Sequence, residues 1–189
     1  MDGRSMVTAL INSIPNTDPT TPQTSNPLQD LPQESRNIFL TLHALFEKEL
    51  LPALDLLDRS LITRLKTSES DRTCTLHLVR SAQAQTSKTP HHEPITHYYE
   101  VRLQAWSCSC PAFTFSAFPA ASDEKAPPAN MNNEETWKFG GLTLDSDMPV
   151  CKHLLACVLA EKCQMFSHFV EERQITREEM AGWAAGWGG

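Results

Sequence analysis

Two short cysteine-containing motifs constrain the fold of this chain more than any other feature. The first is Cys-x-Cys in WSCSC, at Cys108 and Cys110, and the second is Cys-x-His in CKH, at Cys151 and His153. Three thiolates and one imidazole form a Cys3His set, which is a standard tetrahedral ligand set for zinc. We therefore predict one structural Zn²⁺ ion that joins the two motifs, with buried free thiols as the simpler alternative.

The sequence around each motif supports a metal site. Pro111 follows the first motif and helps the chain turn. The second motif lies where a helix is predicted to begin, and a helix N-terminus favours the thiolate of Cys151. Each doubling of the loop between the motifs costs only about 0.6 kcal/mol, whereas structural zinc contributes on the order of 10 kcal/mol. Four protein ligands leave no open position for a catalytic water, so we expect no hydrolytic zinc.

Composition and charge limit the classes of function. The formal net charge is -7, whereas proteins that bind nucleic acid through bulk electrostatics are usually basic. No stretch approaches the ~20 apolar residues of a membrane span, and we expect no secretory signal. A cytosolic or nuclear chain keeps its thiols reduced, so six cysteines do not imply three disulfides. No Walker-type phosphate loop or nucleophile signature appears, so we expect neither an enzyme nor a small-molecule substrate.

The first part of the chain predicts a disordered segment followed by helices. Residues 1–33 are expected to be mostly disordered, although MVTALINSI could form a short docking helix. Residues 34–66 carry apolar side chains at helical spacing and predict a helical region of two successive helices. The second of these is predicted to include Leu61 and Leu65. Their apolar stripes are interpreted as core, with a surface for a partner helix as the alternative.

The metal motifs fall in a predicted α+β domain at residues 72–166. The segments RTCTLHLV and PITHYYEVRLQAW alternate like two strands of an antiparallel hairpin. Residues 119–147 are polar and small, and we expect a mobile insertion there. A helix is predicted from about residue 148 onwards. Residues 167–189 are interpreted as a C-terminal helix and tail, with Thr176 as the helix N-cap and Glu179 completing a capping box.

The remaining cysteines and histidines are weaker candidates for chemistry. Cys157 and Cys163 lie on the helix after the second motif and are interpreted as core or surface thiols. Cys74 and His97 are placed by strand alternation on the predicted core face. The pair His91–His92 is interpreted as part of a solvated loop, with a weak metal site as the alternative.

The order of these features resembles the SWIM zinc-finger family. A strand, WSCSCPAF, an insertion and CKHLLA at a helix start match its Cys-x-Cys…Cys-x-His pattern over roughly residues 98–160. Ala156 extends the second motif to Cys-x-His-x-x-Ala, which is similar to the SWIM subunits of Shu complexes. The resemblance implies an α+β fold: a small zinc-stabilised domain of an antiparallel hairpin plus a helix, preceded by a helical region. It assigns the role of zinc ligand to Cys108, Cys110, Cys151 and His153. It assigns the role of a small supporting residue to Ala156.

The same resemblance implies a function in DNA repair. It predicts a non-enzymatic zinc-binding subunit of a Shu-type complex in the nucleus, which promotes homologous recombination by supporting assembly of the recombinase filament. The implied partner is a RecA-like recombinase paralogue, with DNA engaged through the complex and no membrane. The aromatic candidates for the partner surface are Phe113, Phe115, Phe118, Trp183 and Trp187.

A stand-alone DNA-binding SWIM module is the alternative function. It requires a local basic patch despite the acidic net charge. The residues that could form this patch are Arg59, Arg64, Lys66 and Arg72. A ubiquitin-linked adaptor is a third, weaker hypothesis that depends on the occurrence of SWIM domains alone.

Overall fold

The computed structural model describes residues 3–15, 28–29, 31–67, 74–82, 97–118, 137–141 and 148–187. Within them the chain forms a mixed α+β fold with one five-stranded sheet. The helices are α1 (Gly3–Asn12), α2 (Gln33–Leu45), α3 (Leu50–Asp58), α4 (Pro111–Ala117), α5 (Lys152–Lys162) and α6 (Arg177–Ala184), with a 3₁₀ helix at Gln164–Phe169. The strands are β1 (Ile62–Thr67), β2 (Thr75–Arg80), β3 (Tyr98–Arg102), β4 (Ser107–Cys108) and β5 (Val170–Ile175).

The sheet places the motif of Cys108 and Cys110 at one edge. Its strand order is β4-β3-β2-β1-β5, with β1 and β5 parallel and the other pairs antiparallel. The predicted antiparallel pairing of β2 with β3 is therefore confirmed. Val101 lies opposite His77 on one side and Cys108 on the other. This register places Cys108, the first residue of that motif, directly beside β3.

Helix α5 is the centre of the main core. Each residue from His153 to Ala160 is buried, so the helix has no solvent-facing stripe. A short helix that is apolar on all sides is stable only when other elements surround it. Here α3, the 3₁₀ helix and strands β3 and β4 pack against it. Among the described residues, none of the helices is both long and apolar enough to cross a bilayer.

The other face of the sheet is covered by α6. Leu76 and Leu78 alternate with His77 and Val79 along β2, and all four are buried because both faces are covered. A smaller core on the α6 side contains Leu65, Leu76, Leu78, Ile175 and Met180. Thr176 is the N-cap of α6, and its hydroxyl oxygen accepts a hydrogen bond from the Glu179 amide at 3.1 Å, so the predicted cap is confirmed.

The N-terminal helix packs into the main core, where the sequence predicted mostly disorder. Val7 and Ile11 of α1 are buried, which suits their i, i+4 spacing on one helical face. The prediction of disorder came from the composition of the following segment, of which residues 16–27 and 30 lie outside the described part. The main core thus includes residues from α1 through to Val170, and it joins segments that the sequence analysis treated separately.

The second predicted helix is shorter than the apolar spacing suggested. Helix α3 ends at Asp58, and the chain turns at Ser60, which has a φ of 48°. Leu61 leads into β1, and Leu65 lies within β1. Leucines four residues apart fit either a helical face or one face of a strand, because four is also an even number. The pairing of β1 with β2 and β5 decides between them, and β5 was itself not predicted.

Part of the predicted mobile insertion is docked on the core. Residues 119–136 and 142–147 lie outside the described part, but Phe139 is only 2 % exposed. Gly141 has a φ of 53°, and a Cβ atom there would lie 2.6 Å from the Leu103 carbonyl oxygen. This close approach between backbones needs a glycine. The insertion is therefore anchored at residues 137–141.

Candidate metal centre

The two predicted motifs meet at the ends of three elements. Cys108 ends β4, Cys110 is the N-cap of α4, Cys151 is the N-cap of α5, and His153 lies in the first turn of α5. One candidate ligand atom from each residue lies within 4.8 Å of all the others. The structure therefore brings together the four residues that the spacing predicted, and they could hold a metal ion.

The distances suit ligation by one small cation. Ligands at about 2.0–2.3 Å from a tetrahedral ion lie roughly 3.5–3.8 Å from one another. The Sγ atom of Cys108 lies 3.8 Å from Nδ1 of His153. All four residues are 5 % exposed or less. Small side-chain movements are thus enough to place four donors around one ion, away from bulk water.

Both motifs use the same device to stabilise a sulfur anion. The Sγ atom of Cys110 accepts a hydrogen bond from the Phe113 amide at 3.4 Å. In the same way, the Sγ atom of Cys151 accepts one from the Leu154 amide at 3.5 Å. Each bond joins an N-cap sulfur to an otherwise unpaired amide of a first helical turn. Amide donors favour the charged form of the acceptor, which is the form that binds a metal.

The pKa values of the three thiols depend on one another. Hydrogen bonding with Cys110 and Cys151, followed by burial, raises the pKa of Cys108 above its ordinary value. The hydrogen bond with Cys108 is the main cause that lowers the pKa of Cys110. Hydrogen bonding with Cys108 lowers the pKa of Cys151, but Cys110 and burial raise it to about 11 overall. Since metal ligands must be thiolates, binding of a cation here would release protons.

The surroundings of His153 hold its ring in a narrow space. The rings of His153 and Tyr99 lie 4.6 Å apart at 34°. Ala156, one turn further along α5, is fully buried. Its small side chain allows close packing around the helix that carries Cys151 and His153. This is the position that the resemblance assigned as structural support.

An aromatic contact outside the ligands connects the two motifs. Trp106 is 1 % exposed and has a φ of 45° in the turn before Cys108. Its indole Nε1 donates a hydrogen bond to the Pro149 carbonyl at 2.9 Å, and its ring lies 4.6 Å from that of Phe139. Sequence reasoning missed this role, although Trp106 stands in the opening motif WSCSC.

The other predicted cysteine and histidine positions divide between core and surface. Cys157 and Cys163 are buried in the core, as one of their two interpretations predicted. Cys74 and His97 are exposed, so their predicted core positions are wrong. Each lies just before its strand begins, where the alternation of the sheet does not yet apply. The pair His91–His92 lies outside the described residues.

The proposed basic patch is largely neutralised by acidic neighbours. Arg64 is buried, with Nε 2.7 Å from Oε1 of Glu161, and Lys66 pairs with Glu172. Arg59 pairs with Asp55 at 3.4 Å; Arg72 lies outside the described residues. The same Glu161 oxygen is 2.8 Å from Nε2 of His77. Sequence reasoning missed this cluster of Arg64, His77 and Glu161. The signal that could have found it is a cation, Arg64, and a histidine, His77, at paired positions of β1 and β2.

The predicted aromatic surface is also divided. Phe113 is buried, whereas Phe115 and Phe118 are 78 % and 76 % exposed. Trp183 packs partly buried against the smaller core, and Trp187 is 85 % exposed.

The chain matches no protein-family model, and no curated protein matches its sequence.

Proposed function

We propose that this chain is a non-enzymatic, zinc-binding SWIM-type subunit of a Shu-type recombination complex. The observation that carries the proposal is the convergence of Cys108, Cys110, Cys151 and His153 into one buried group. A Cys3His group suits Zn²⁺, since thiolates and imidazole are its common ligands and hard cations prefer oxygen. Four protein ligands are typical of structural rather than catalytic zinc.

The order of elements supports the more specific part of the proposal. A strand pair leads into Cys-x-Cys, and Cys-x-His begins a helix with Ala156 one turn later. This order resembles the SWIM pattern of Shu-type subunits. In the proposed function the chain associates in the nucleus with a RecA-like recombinase paralogue, and the complex supports filament assembly during homologous recombination. DNA is engaged through the complex.

The ion pairs of Arg59, Arg64 and Lys66 favour this proposal over stand-alone DNA binding. A patch that binds phosphates must present cations that acidic side chains do not already neutralise. The purified chain is expected to cause no salt-dependent shift of labelled DNA. A shift at low salt that disappears at higher salt would instead support the alternative function.

The test is purification of the tagged chain from its own cells, with metal analysis and identification of the associated proteins. We expect one zinc per chain and a RecA-like ATPase, both lost in His153→Ala. The matched control is His168→Ala, which replaces an exposed histidine outside the site. Zinc without a RecA-like ATPase would leave the metal site standing and remove the recombination function. Full association of His153→Ala with the ATPase would contradict the proposed role of zinc in it.

A further inference from the structure

An apolar groove runs between α3 and the 3₁₀ helix Gln164–Phe169. It has a volume of about 340 Å³. Its deepest residues are Leu57 and Phe166, which are at most 2 % exposed. Leu28, Leu54 and Phe169 form its sides and are partly buried. A concave apolar surface of this size is a common form of recognition site.

Leu51 stands at the opening of this groove. It lines the groove and is 60 % exposed. A single exposed leucine is ordinary, but one that continues a concave apolar surface extends the area that a ligand can cover. Covering an exposed leucine side chain favours binding, because it removes apolar area from water. Leu51 is therefore positioned to contribute strongly to the binding of an apolar segment.

The charges on the groove indicate the chemistry of its ligand. The two charged residues that line it are aspartates, Asp55 and Asp58, and both are exposed. Asp55 pairs with Arg59 at 3.4 Å, whereas Asp58 has no ion-pair partner in the described part of the chain. A ligand that covers the apolar surface brings its own polar flank beside Asp58. Lysine or arginine on that flank complements the groove, and a like charge there is disfavoured.

The neighbouring segment of the chain itself does not have this chemistry. Residues 16–27 contain no Lys or Arg and no large apolar side chain. They can supply neither an apolar anchor nor a cation for Asp58. Residues 16–27 are therefore excluded as the occupant of the groove.

We propose that the groove between α3 and the 3₁₀ helix docks a basic amphipathic helical segment of a partner protein. Apolar side chains at i, i+3 or i+4, and i+7 cover Leu51, Leu54 and Phe169, as in other helix-in-groove complexes. A lysine or arginine beside this stripe pairs with Asp58. Only the identity of the partner, a RecA-like subunit, rests on the function proposed above.

A pair of synthetic helical peptides tests this proposal on the full, zinc-loaded chain. Both carry the same leucine stripe, one flanked by lysines and the other by glutamates. Amide NMR shifts locate binding, and a titration gives Kd. We expect the lysine peptide to bind at Leu51, Leu54 and Phe169, and the glutamate peptide to bind much more weakly. Equal binding of both peptides, or binding of neither, would overturn the proposal.

Matched variants test the residues. Leu51→Asp is expected to weaken binding of the lysine peptide by about tenfold or more, and Asp58→Lys by about threefold or more, because exposed ion pairs contribute less than buried apolar area. Leu40→Asp is the control, because Leu40 is 65 % exposed on α2 and does not line the groove. An unchanged Kd in Leu51→Asp, an equal loss in Leu40→Asp, or a concentration-dependent dimer that Leu51→Asp abolishes would each overturn the proposal. The free energy of unfolding of every variant is measured alongside.

The same variants separate this proposal from the proposed function. If a RecA-like ATPase associates equally with the wild type and Leu51→Asp, the groove is not its docking site and the function stands. If the lysine peptide binds as expected but no RecA-like ATPase associates with the wild type, the groove proposal stands and the function fails.

Discussion

Trp106 and Pro149 join the two candidate metal-binding motifs through one hydrogen bond, from the indole Nε1 to the carbonyl oxygen at 2.9 Å. Trp106 precedes Cys108 by two residues, and Pro149 precedes Cys151 by two residues. The bond therefore fixes the approach of both chain segments to the metal centre. A preorganised approach lowers the entropy that must be lost when a cation is bound.

Trp106→Phe should weaken both the fold and metal retention. Phenylalanine keeps an aromatic ring but leaves the partly exposed Pro149 carbonyl without its donor, a loss of about 0.5–1.5 kcal/mol. Denaturant unfolding measures the stability, and competition with a chromogenic chelator measures zinc retention. Trp187→Phe, at an 85 % exposed position, is the control and should change neither. Equal values for Trp106→Phe and the wild type would contradict a role for this bond.

Cys151→Ser should abolish stoichiometric metal binding and destabilise the chain. It removes both a ligand atom and the sulfur N-cap of α5. Cys74→Ser, which changes an exposed thiol outside the cluster, should leave both properties unchanged. Metal content by mass spectrometry and thermal unfolding with and without added zinc measure the two effects. One zinc per chain in Cys151→Ser would show that this thiolate is not a ligand.

The reactivity of the non-ligand thiols should follow their burial. Burial raises the pKa of Cys163 to about 12, and it also raises the pKa of fully buried Cys157. Both thiols are therefore protonated and inaccessible at neutral pH. Brief alkylation of the zinc-loaded chain, read by peptide mass spectrometry, should modify Cys74 and spare these two. Rapid labelling of Cys157 before unfolding would mean that α5 is not packed as described.

Glu161→Gln should make the free energy of unfolding depend less on pH in the acidic range. Burial alone raises the pKa of Glu161, but the hydrogen bond and charge of His77, followed by Arg64, outweigh burial, and the net pKa is lower than 4.5. A lowered pKa stabilises the folded state above the unfolded value, and this contribution is lost as pH falls through the folded pKa. We expect a loss of roughly 1 kcal/mol at pH 7, because Glu161 is partly exposed and solvent screens its ion pairs.

The difference between Glu161→Gln and the wild type should therefore shrink below about pH 4.5. Denaturant unfolding at several pH values, with matched zinc loading, gives both curves. Glu171→Gln is the control, since Glu171 is exposed on β5. A difference that stays constant down to low pH would show that ionised Glu161 does not carry the effect.

Ala156→Leu should disturb the metal centre through packing alone. Ala156 is fully buried on α5. A larger side chain in a filled core lowers the free energy of unfolding by about 1–3 kcal/mol. Displacement of α5 moves Cys151 and His153 relative to the first motif, so zinc retention should fall together with stability. Ala184→Leu, at an exposed helical position, should do neither. Chelator competition and denaturant unfolding check both expectations.

Local chemistry alone predicted the candidate site. Ligand types and their spacing within each motif depend on a few neighbouring residues, and Pro111 and the start of α5 follow rules of chain geometry that act locally. The N-cap at Thr176 was predicted for the same reason. The pairing of the two motifs followed because a complete ligand set needs both.

Only the tertiary structure decided what surrounds the site. Leu65 fits a helix or a strand until β1 pairs with β2 and β5, and β5 lies far from β1 in the sequence. The contact of Trp106 with Phe139 and the cluster of Arg64, His77 and Glu161 also join distant segments. No local pattern encodes which distant side chains meet, because that depends on how all the elements bury their apolar surface together. The sequence by itself determined the candidate metal ligands, and the packing of distant segments determined the core that holds them.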